Sequence, residues 1–123
     1  MSISSSETMK AIIQNQPDGK LIVEEVEIPK PGRGEVLVKM HFSPINPSDI
    51  SQLRGTFSPK PDYPFIPGIE GSGTVVERGK GIIPLLRDQK DVACSPKKGY
   101  GGSWAEYMLT DATKCIPLGN NIT

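Results

Sequence analysis

The sequence has very few residues that bind metals through nitrogen or sulfur. Its only cysteines are Cys94 and Cys115, and its only histidine is His41. A structural zinc site takes about four such ligands, and a disulfide-rich fold takes several cysteine pairs. Both classes are therefore excluded. We expect the two cysteines to be buried, reduced thiols and His41 to be structural or exposed.

Net charge and long hydrophobic runs are also missing. The 123 residues contain 14 Lys and Arg against 14 Asp and Glu, and they include no basic run. This balance gives no electrostatic reason to expect nucleic acid or an anionic membrane as a partner. The apolar runs are far shorter than the ~20 residues of a membrane span. The Ser-rich start has no apolar segment typical of a secretory signal, so a cytoplasmic protein is expected.

Glycine and proline are abundant, with 13 and 12 copies. Both disfavour long helices, so short strands and many turns are expected. Alternation and turn residues predict strands over 9–14, 21–28, 35–42, 72–77, 91–94, 103–109 and 114–117. They predict one short helix over 48–54, capped by Ser48 or Asp49 and ended by Gly55. The fold class is therefore mainly β, a small open barrel or sandwich, over residues 9–123 after a disordered tail over 1–8.

No glycine cluster has the spacing of a nucleotide-binding loop. Residues 68–73, GIEGSG, reverse the G-x-G-x-x-G spacing and precede no helix. Residues 79–81, GKG, lack the Ser or Thr of a phosphate loop. These glycines are interpreted as sites of turns or of close backbone approach.

Several segments are weak signals individually, but their order and spacing along the chain are informative. Residues 43–57 read SPINPSDISQLRGTF, and residues 63–79 read YPFIPGIEGSGTVVERG. MKAIIQ and PKPGRGEVLVKM stand upstream, and GGSWAEYMLTDATKCIPL stands downstream. Together, over residues 9–122, they resemble the medium-chain dehydrogenase/reductase superfamily, with its zinc-independent quinone oxidoreductases and 2-enoyl thioester reductases as the most similar branch.

The resemblance implies a GroES-like, partly open β-barrel with one short helix. It also implies a following Rossmann domain, absent from this chain, that binds most of NAD(P)H, with NADPH as the expected cofactor. Hydride would then pass to a small-molecule substrate in the cleft between the domains. We therefore expect the domain to be incomplete at its C-terminus and inactive alone. An exposed apolar face is expected near Phe57, Phe65 and Ile69. The missing domain should cover this face, and without that domain the face could lead to a homo-oligomer.

The resemblance also assigns binding residues. It places Asn46, Ser48 and Asp49 against the nicotinamide and substrate, and adds Phe57 and Ile69 to the binding set. It assigns no catalytic residue. The zinc-dependent branch has a cysteine at the position of Asn46 and a histidine at that of Ile69, so no metal is expected here. The Asn46 amide can polarise a carbonyl instead. From their residue types alone, the same residues favour a turn without catalytic function, in which Asn46 and Ser48 act as local caps.

Three further residues are expected to support this site structurally: Gly68, Glu70 and Gly71. Glu70 is expected to make a buried contact with an arginine or with backbone amides.

Two positions depart from the family pattern. Phe57 replaces a tyrosine of the enoyl reductases and cannot donate a proton, which favours quinone or enone substrates over enoyl thioesters. Gln89 stands where the family has a turn glycine, so the local turn must be built differently. The sequence thus favours part of an oxidoreductase acting on a quinone, enone or enoyl-type electrophile. The alternative is a non-catalytic binding or scaffold subunit that keeps the barrel.

Overall fold

The protein, known here from a computed structural model that describes residues 7–56 and 60–119, is mainly β as predicted. Seven strands and two α-helices follow the chain in this order: β1 (Thr8–Gln14), β2 (Leu21–Glu27), β3 (Glu35–Phe42), α1 (Pro47–Leu53), β4 (Gly71–Arg78), α2 (Ile82–Arg87), β5 (Asp91–Cys94), β6 (Tyr107–Asp111) and β7 (Cys115–Pro117). A 3₁₀ turn, Ala112–Lys114, joins the last two strands.

The strands form two antiparallel sheets that do not close. One is the β1–β2 hairpin, and the other has the order β6-β3-β4-β5-β7. Two isolated bridges, Ala11 with Ala105 and Gln14 with Phe65, attach the hairpin to the rest. This arrangement confirms the predicted partly open barrel.

Strand β3 lies between two hydrophobic clusters. Val36 and Val38 enter the larger cluster, which also contains Val75, Val92, Met108 and both cysteines. Leu37 points the other way and packs with Met9, Ile28 and Leu109 under the hairpin. Burial on both faces makes β3 the centre of the fold, and burying each such aliphatic side chain contributes about 1.5–3 kcal/mol.

One helix and several element boundaries differ from the prediction. Helix α2 was not predicted, because Pro84 in IIPLLR is a helix breaker by its type. Pro84 occupies the first turn, where its missing N–H is not needed. Strand β6 begins four residues later than predicted, because Ser103 and Trp104 hydrogen-bond to 67–68 and Ala105 forms a bridge with Ala11 instead. Thr8, assigned to the tail, already belongs to β1, whereas residues 1–6 lie outside the described part.

The turn before β5 keeps a left-handed residue although its glycine is missing. Gln89 adopts φ +60°, a conformation that costs a side-chain-bearing residue about 1–2 kcal/mol. Its N–H donates to the carbonyl of Val75 at 3.0 Å, which fixes the turn. Within the described residues, no helix is long and apolar enough to cross a membrane.

Candidate active site

The first turn of α1 is organised by Asn46, not by the predicted cap residues. Asn46 has an extended backbone, and its carbonyl accepts the N–H groups of Asp49 and Ile50 at 3.0 and 3.3 Å. Its own N–H donates to Oδ2 of Asp49 at 2.8 Å. Pro47 follows at the first helical position, where its fixed φ suits the helix. Asp49 is fully buried, so this reciprocal cap holds the segment before α1 in one conformation.

The side chain of Asn46 is held from a second direction. Its Nδ2 donates to Oε2 of Glu70 at 2.9 Å, across 24 residues of sequence. Glu70 is exposed and its contact is a side-chain amide, so the expected buried contact with an arginine or with backbone amides is wrong. An amide nitrogen carries two hydrogens, and Glu70 engages one of them. Asn46 is therefore oriented and retains one N–H for another acceptor.

A serine pair braces the segment that carries Glu70. Ser43, directly after β3, donates to the backbone carbonyl of Glu70 at 3.1 Å. Its Oγ lies 2.6 Å from Oγ of Ser103, which is buried. A hydroxyl has one proton, so Ser103 is the donor in the second bond. This pair has no signal in the local sequence pattern, because the two serines are 60 residues apart.

Gly68 and Gly71 allow close backbone approach on either side of Ile69 and Glu70. Gly68 has φ +103°, and an added Cβ would overlap Oγ of Ser103 and lie 2.6 Å from Cδ1 of Trp104. Its carbonyl accepts the N–H of Ser103 at 3.1 Å. A Cβ on Gly71 would lie 2.5 Å from the carbonyl oxygen of Phe42. Neither position has room for a side chain, so both glycines let the backbone pack closely on either side of Ile69 and Glu70.

Two recesses flank these residues. The first, called here the Phe42 groove, has a volume of about 510 Å³ and includes Phe42, Ile45, Ile50 and Trp104 in its lining. Phe42 and Ile45 are 76% and 70% exposed. The second, called here the Ile69 cavity, has a volume of about 590 Å³ and includes Phe65, Ile69 and Tyr100. Ile45, next to Asn46 in the chain, lines the Phe42 groove, and Ile69, next to Glu70, lines the Ile69 cavity, whereas Asn46 itself lines neither recess.

One wall of the Ile69 cavity is anchored by an ionic cluster. Lys97 Nζ lies 3.0 Å from Oε2 of Glu35 and 3.1 Å from Oδ1 of Asp111. Burial opposes ionisation of Glu35, but hydrogen bonds from Gly32, Tyr100 and Lys97 outweigh it and lower its pKa. Hydrogen bonding to Glu35 raises the pKa of both Lys97 and Tyr100. The loop carrying Lys97 and Tyr100 is therefore tied to β3 and β6.

The predicted site residues are only partly brought together. Asn46, Asp49 and Glu70 form one hydrogen-bonded unit, and Ile69 faces the neighbouring cavity. Asp49 is fully buried, so its side chain caps α1 and positions Asn46 and does not make the direct contact with nicotinamide and substrate that the resemblance implied. Ser48 is half-buried in the first turn of α1. Phe57 lies outside the described residues. His41 is exposed and hydrogen-bonds Oγ1 of Thr74 at 3.0 Å.

The residues present do not fit a zinc ion. Asn46 and Ile69 offer a neutral amide and a hydrocarbon where thiolate and imidazole would be needed. Across 7–56 and 60–119, no three His, Cys, Asp or Glu side chains cluster closely enough to hold a metal.

The fold is that of a GroES-like domain, and comparison with known proteins identifies its family. The profile of the alcohol dehydrogenase GroES-like domain matches residues 32–120. The chain belongs to this family, within the medium-chain dehydrogenase/reductase superfamily.

Three relatives illustrate the range. An alcohol dehydrogenase of Geobacillus stearothermophilus is 40% identical over 94% of this chain and 41% of its own length. A mitochondrial enoyl-[acyl-carrier-protein] reductase of Caenorhabditis elegans is 35% identical over 83% of this chain and 29% of its own. A structure described as an NADPH:quinone reductase, from Mesorhizobium loti, superposes with a TM-score of 0.86 at 31% identity, over 100% of this chain and 39% of that one. The chain thus spans about two fifths or less of these relatives.

Proposed function

We propose that this chain is the substrate-side domain of a zinc-free, NADPH-dependent reductase that acts on a quinone or enone. The observation that carries the proposal is the hydrogen bond of 2.9 Å by which Glu70 orients the Asn46 amide. By the resemblance, Asn46 occupies the position of a zinc-binding cysteine in the zinc-dependent branch. A longer, cytoplasmic protein would supply the dinucleotide-binding domain, and NADPH, when bound there, supplies the hydride.

The role proposed for this chain is to hold and polarise the electrophile. The free N–H of Asn46 donates to the substrate oxygen as negative charge develops on it, and a preorganised donor of this kind contributes about 2.7–4 kcal/mol to a transition state. In this proposal the apolar ring of the substrate packs in one of the two recesses, which are lined in part by Ile45, next to Asn46 in the chain, and by Ile69, next to Glu70. Ser48, Phe57 and Ile69 complete the proposed contacts with nicotinamide and substrate.

Quinone and enone substrates are preferred in this proposal over enoyl thioesters. Phe57 has no hydroxyl to donate a proton, and a quinone needs less activation than a thioester. Phe57→Tyr in the longer protein should therefore raise enoyl thioester reduction more than quinone reduction. Equal effects on both substrates would argue against this assignment.

The decisive experiment compares the 123-residue chain with a longer protein that contains it and a dinucleotide-binding domain. Turnover of 9,10-phenanthrenequinone with NADPH is measured, together with calorimetric binding of NADPH and elemental analysis for zinc. We expect turnover and NADPH binding only in the longer protein, both without zinc. Asn46→Ala should lower kcat/KM about 10²-fold, whereas the exposed control Asn15→Ala should not.

Three results would contradict the proposal. Micromolar NADPH binding by the short chain would mean that the cofactor is bound by residues described above. Stoichiometric zinc that survives a chelator would restore a metal mechanism. A longer protein that turns over no quinone, enone or enoyl substrate would favour the non-catalytic scaffold subunit. Measurement of the oligomeric state of both forms tests whether the apolar face near Phe65 and Ile69 leads to self-association.

A further inference from the structure

The two cysteines are direct neighbours across strands β5 and β7. Cys94 is the last residue of β5, Cys115 is the first of β7, and the two are register partners in an antiparallel pair. Register partners point to the same face of a sheet. Both side chains enter the larger hydrophobic cluster, with 5% and 1% of their surfaces exposed.

The backbone hydrogen bonds on either side of Cys94 and Cys115 show whether the two form a hydrogen-bonded or a non-hydrogen-bonded pair of the ladder. The N–H of Ser95 donates to the carbonyl of Lys114 at 3.4 Å, and the N–H of Leu118 donates to that of Asp91 at 2.9 Å. Hydrogen-bonded and non-hydrogen-bonded pairs alternate along an antiparallel ladder, so Cys94 and Cys115 form a non-hydrogen-bonded pair. In such a pair the Cα atoms are about 4.5 Å apart, which lies within the range that a disulfide spans.

Each thiol has only a weak partner in the reduced protein. Sγ of Cys94 lies 3.6 Å from the carbonyl oxygen of Gly71, and Sγ of Cys115 lies 3.8 Å from that of Asp111. Neither contact would oppose rotation of the thiols towards each other, because S–H groups are weak donors.

We propose that Cys94 and Cys115 are a redox-active pair that closes reversibly into a cross-strand disulfide. The oxidant is a low-molecular-weight disulfide such as glutathione disulfide. The thiolate of one cysteine attacks it, forming a mixed disulfide and releasing one glutathione thiolate. The thiolate of the other cysteine then attacks the protein sulfur and releases the second glutathione. In sum, two thiols lose two protons and two electrons, and one glutathione disulfide becomes two glutathione molecules.

Access to the pair is controlled by β7. Burial, with a smaller contribution from Cys115, raises the pKa of Cys94 to about 12; burial raises that of Cys115 to about 11 against the opposing charge of Arg87. Thiolates are therefore scarce while β7 is docked. Strand β7 has three residues and lies at the edge of the sheet, where, among the residues that the structure describes, only β5 pairs with it. Local opening of β7 exposes both sulfurs, so the rate of oxidation should follow this opening.

The test uses the full chain, folded, in buffers of graded glutathione and glutathione disulfide. Samples are quenched in acid, alkylated in denaturant and analysed by intact mass and peptide mapping. We expect a mass loss of two hydrogens, a peptide cross-link between Cys94 and Cys115, and full reversal by dithiothreitol. The rate should rise about tenfold from pH 7 to pH 8, since opened thiols have ordinary pKa values near 8.5. Low urea should accelerate the reaction.

The single variants Cys94→Ser and Cys115→Ser serve as controls, and each should stop at a mixed disulfide. Circular dichroism checks that they and the oxidised protein remain folded. If a variant does not fold, limited alkylation of the wild-type chain replaces it, because disulfide closure should protect both sulfurs together. The proposal is overturned if the folded protein keeps both thiols reduced throughout the oxidation series, so that alkylation in denaturant always labels both. It is equally overturned if the cross-link forms only under full denaturation, or if only intermolecular bonds appear.

Discussion

The side-chain amide of Asn46 and the carboxylate of Glu70 meet at 2.9 Å, although one begins α1 and the other precedes β4. Each is also held through its backbone: Asn46 by Asp49, and Glu70 by Ser43. Two independently anchored segments thus share one side-chain hydrogen bond. The bond aims the remaining amide N–H of Asn46, while the exposed carboxylate keeps contact with water.

Glu70 should therefore act as a positioning residue for Asn46. In a longer, active protein we expect Glu70→Ala to lower kcat/KM for a quinone about tenfold, equivalent to about 1.4 kcal/mol. The same change should have almost no effect when Asn46 is already alanine, because its target is gone. Glu70→Gln keeps an acceptor oxygen and should retain most of the activity. A double-mutant cycle on kcat/KM measures the coupling, and additive effects of the two alanine changes would refute it.

Gly68→Ala should destabilise the fold by more than about 2 kcal/mol, since it combines backbone strain with steric overlap. Its φ is +103°, and a Cβ would overlap Ser103. Gly99 provides a matched control: its φ is +86°, but nothing lies within 4 Å of an added Cβ. Gly99→Ala should thus cost only the strain, about 1–2 kcal/mol. Urea unfolding of both variants gives the difference. Equal losses of unfolding free energy in the two variants would show that Ser103 can move away from the added Cβ at no energetic cost, which would contradict the prediction.

Gln89→Gly should raise the free energy of unfolding by up to about 1 kcal/mol. Glycine removes the left-handed strain of about 1–2 kcal/mol and adds about 0.5–1 kcal/mol of backbone entropy to the unfolded chain. Lys90→Gly is the control, because Lys90 is exposed and has no positive φ. That change should lower stability by about 0.5–1 kcal/mol. Denaturant titration compares the two, and a loss of stability in both variants would contradict the strain argument.

Lys97→Met should lower the melting temperature at neutral pH, because Glu35 and Asp111 lose a charged hydrogen-bond donor, although solvent screens this partly exposed group. The exposed neighbour gives a control, Lys98→Met, which should be nearly neutral. Thermal unfolding at pH 7 measures both.

The pH profile gives a second readout of the same cluster. The pKa of Glu35 is lowered in the folded protein, so its ionisation stabilises the fold above its ordinary value of 4.5. This contribution is lost as pH falls from there through the lowered folded value. In Lys97→Met the pKa of Glu35 should rise, and the acid-induced loss of stability should shrink. An unchanged slope below pH 4.5 would mean that Gly32 and Tyr100 alone hold the carboxylate.

The predictable parts of this fold are those encoded by local pattern. Strand β3 was predicted with its observed limits because apolar residues alternate over 35–42. Helix α1 was predicted, but its cap was not, since Asn46, Ser48 and Asp49 are all good capping residues within four positions. Helix α2 was missed because the tolerance of Pro84 depends on its place in the first turn. The contacts Asn46–Glu70 and Ser43–Ser103 depend on tertiary pairing, which a single sequence does not encode locally.

The central position of β3 has a consequence for synthesis on the ribosome. Its partner on one side, β6, arrives late: Tyr107, the register partner of Lys39, is 68 residues further along. At about 5–20 residues per second, the nascent chain waits roughly 3–14 s between the two. During that interval one edge of β3 has unpaired amides and carbonyls, and Leu37 lacks Leu109 as its cover. Strand β3 can gain β6 as its second partner only after residue 111 has emerged, so a chaperone that binds extended apolar segments should meet this chain at β3.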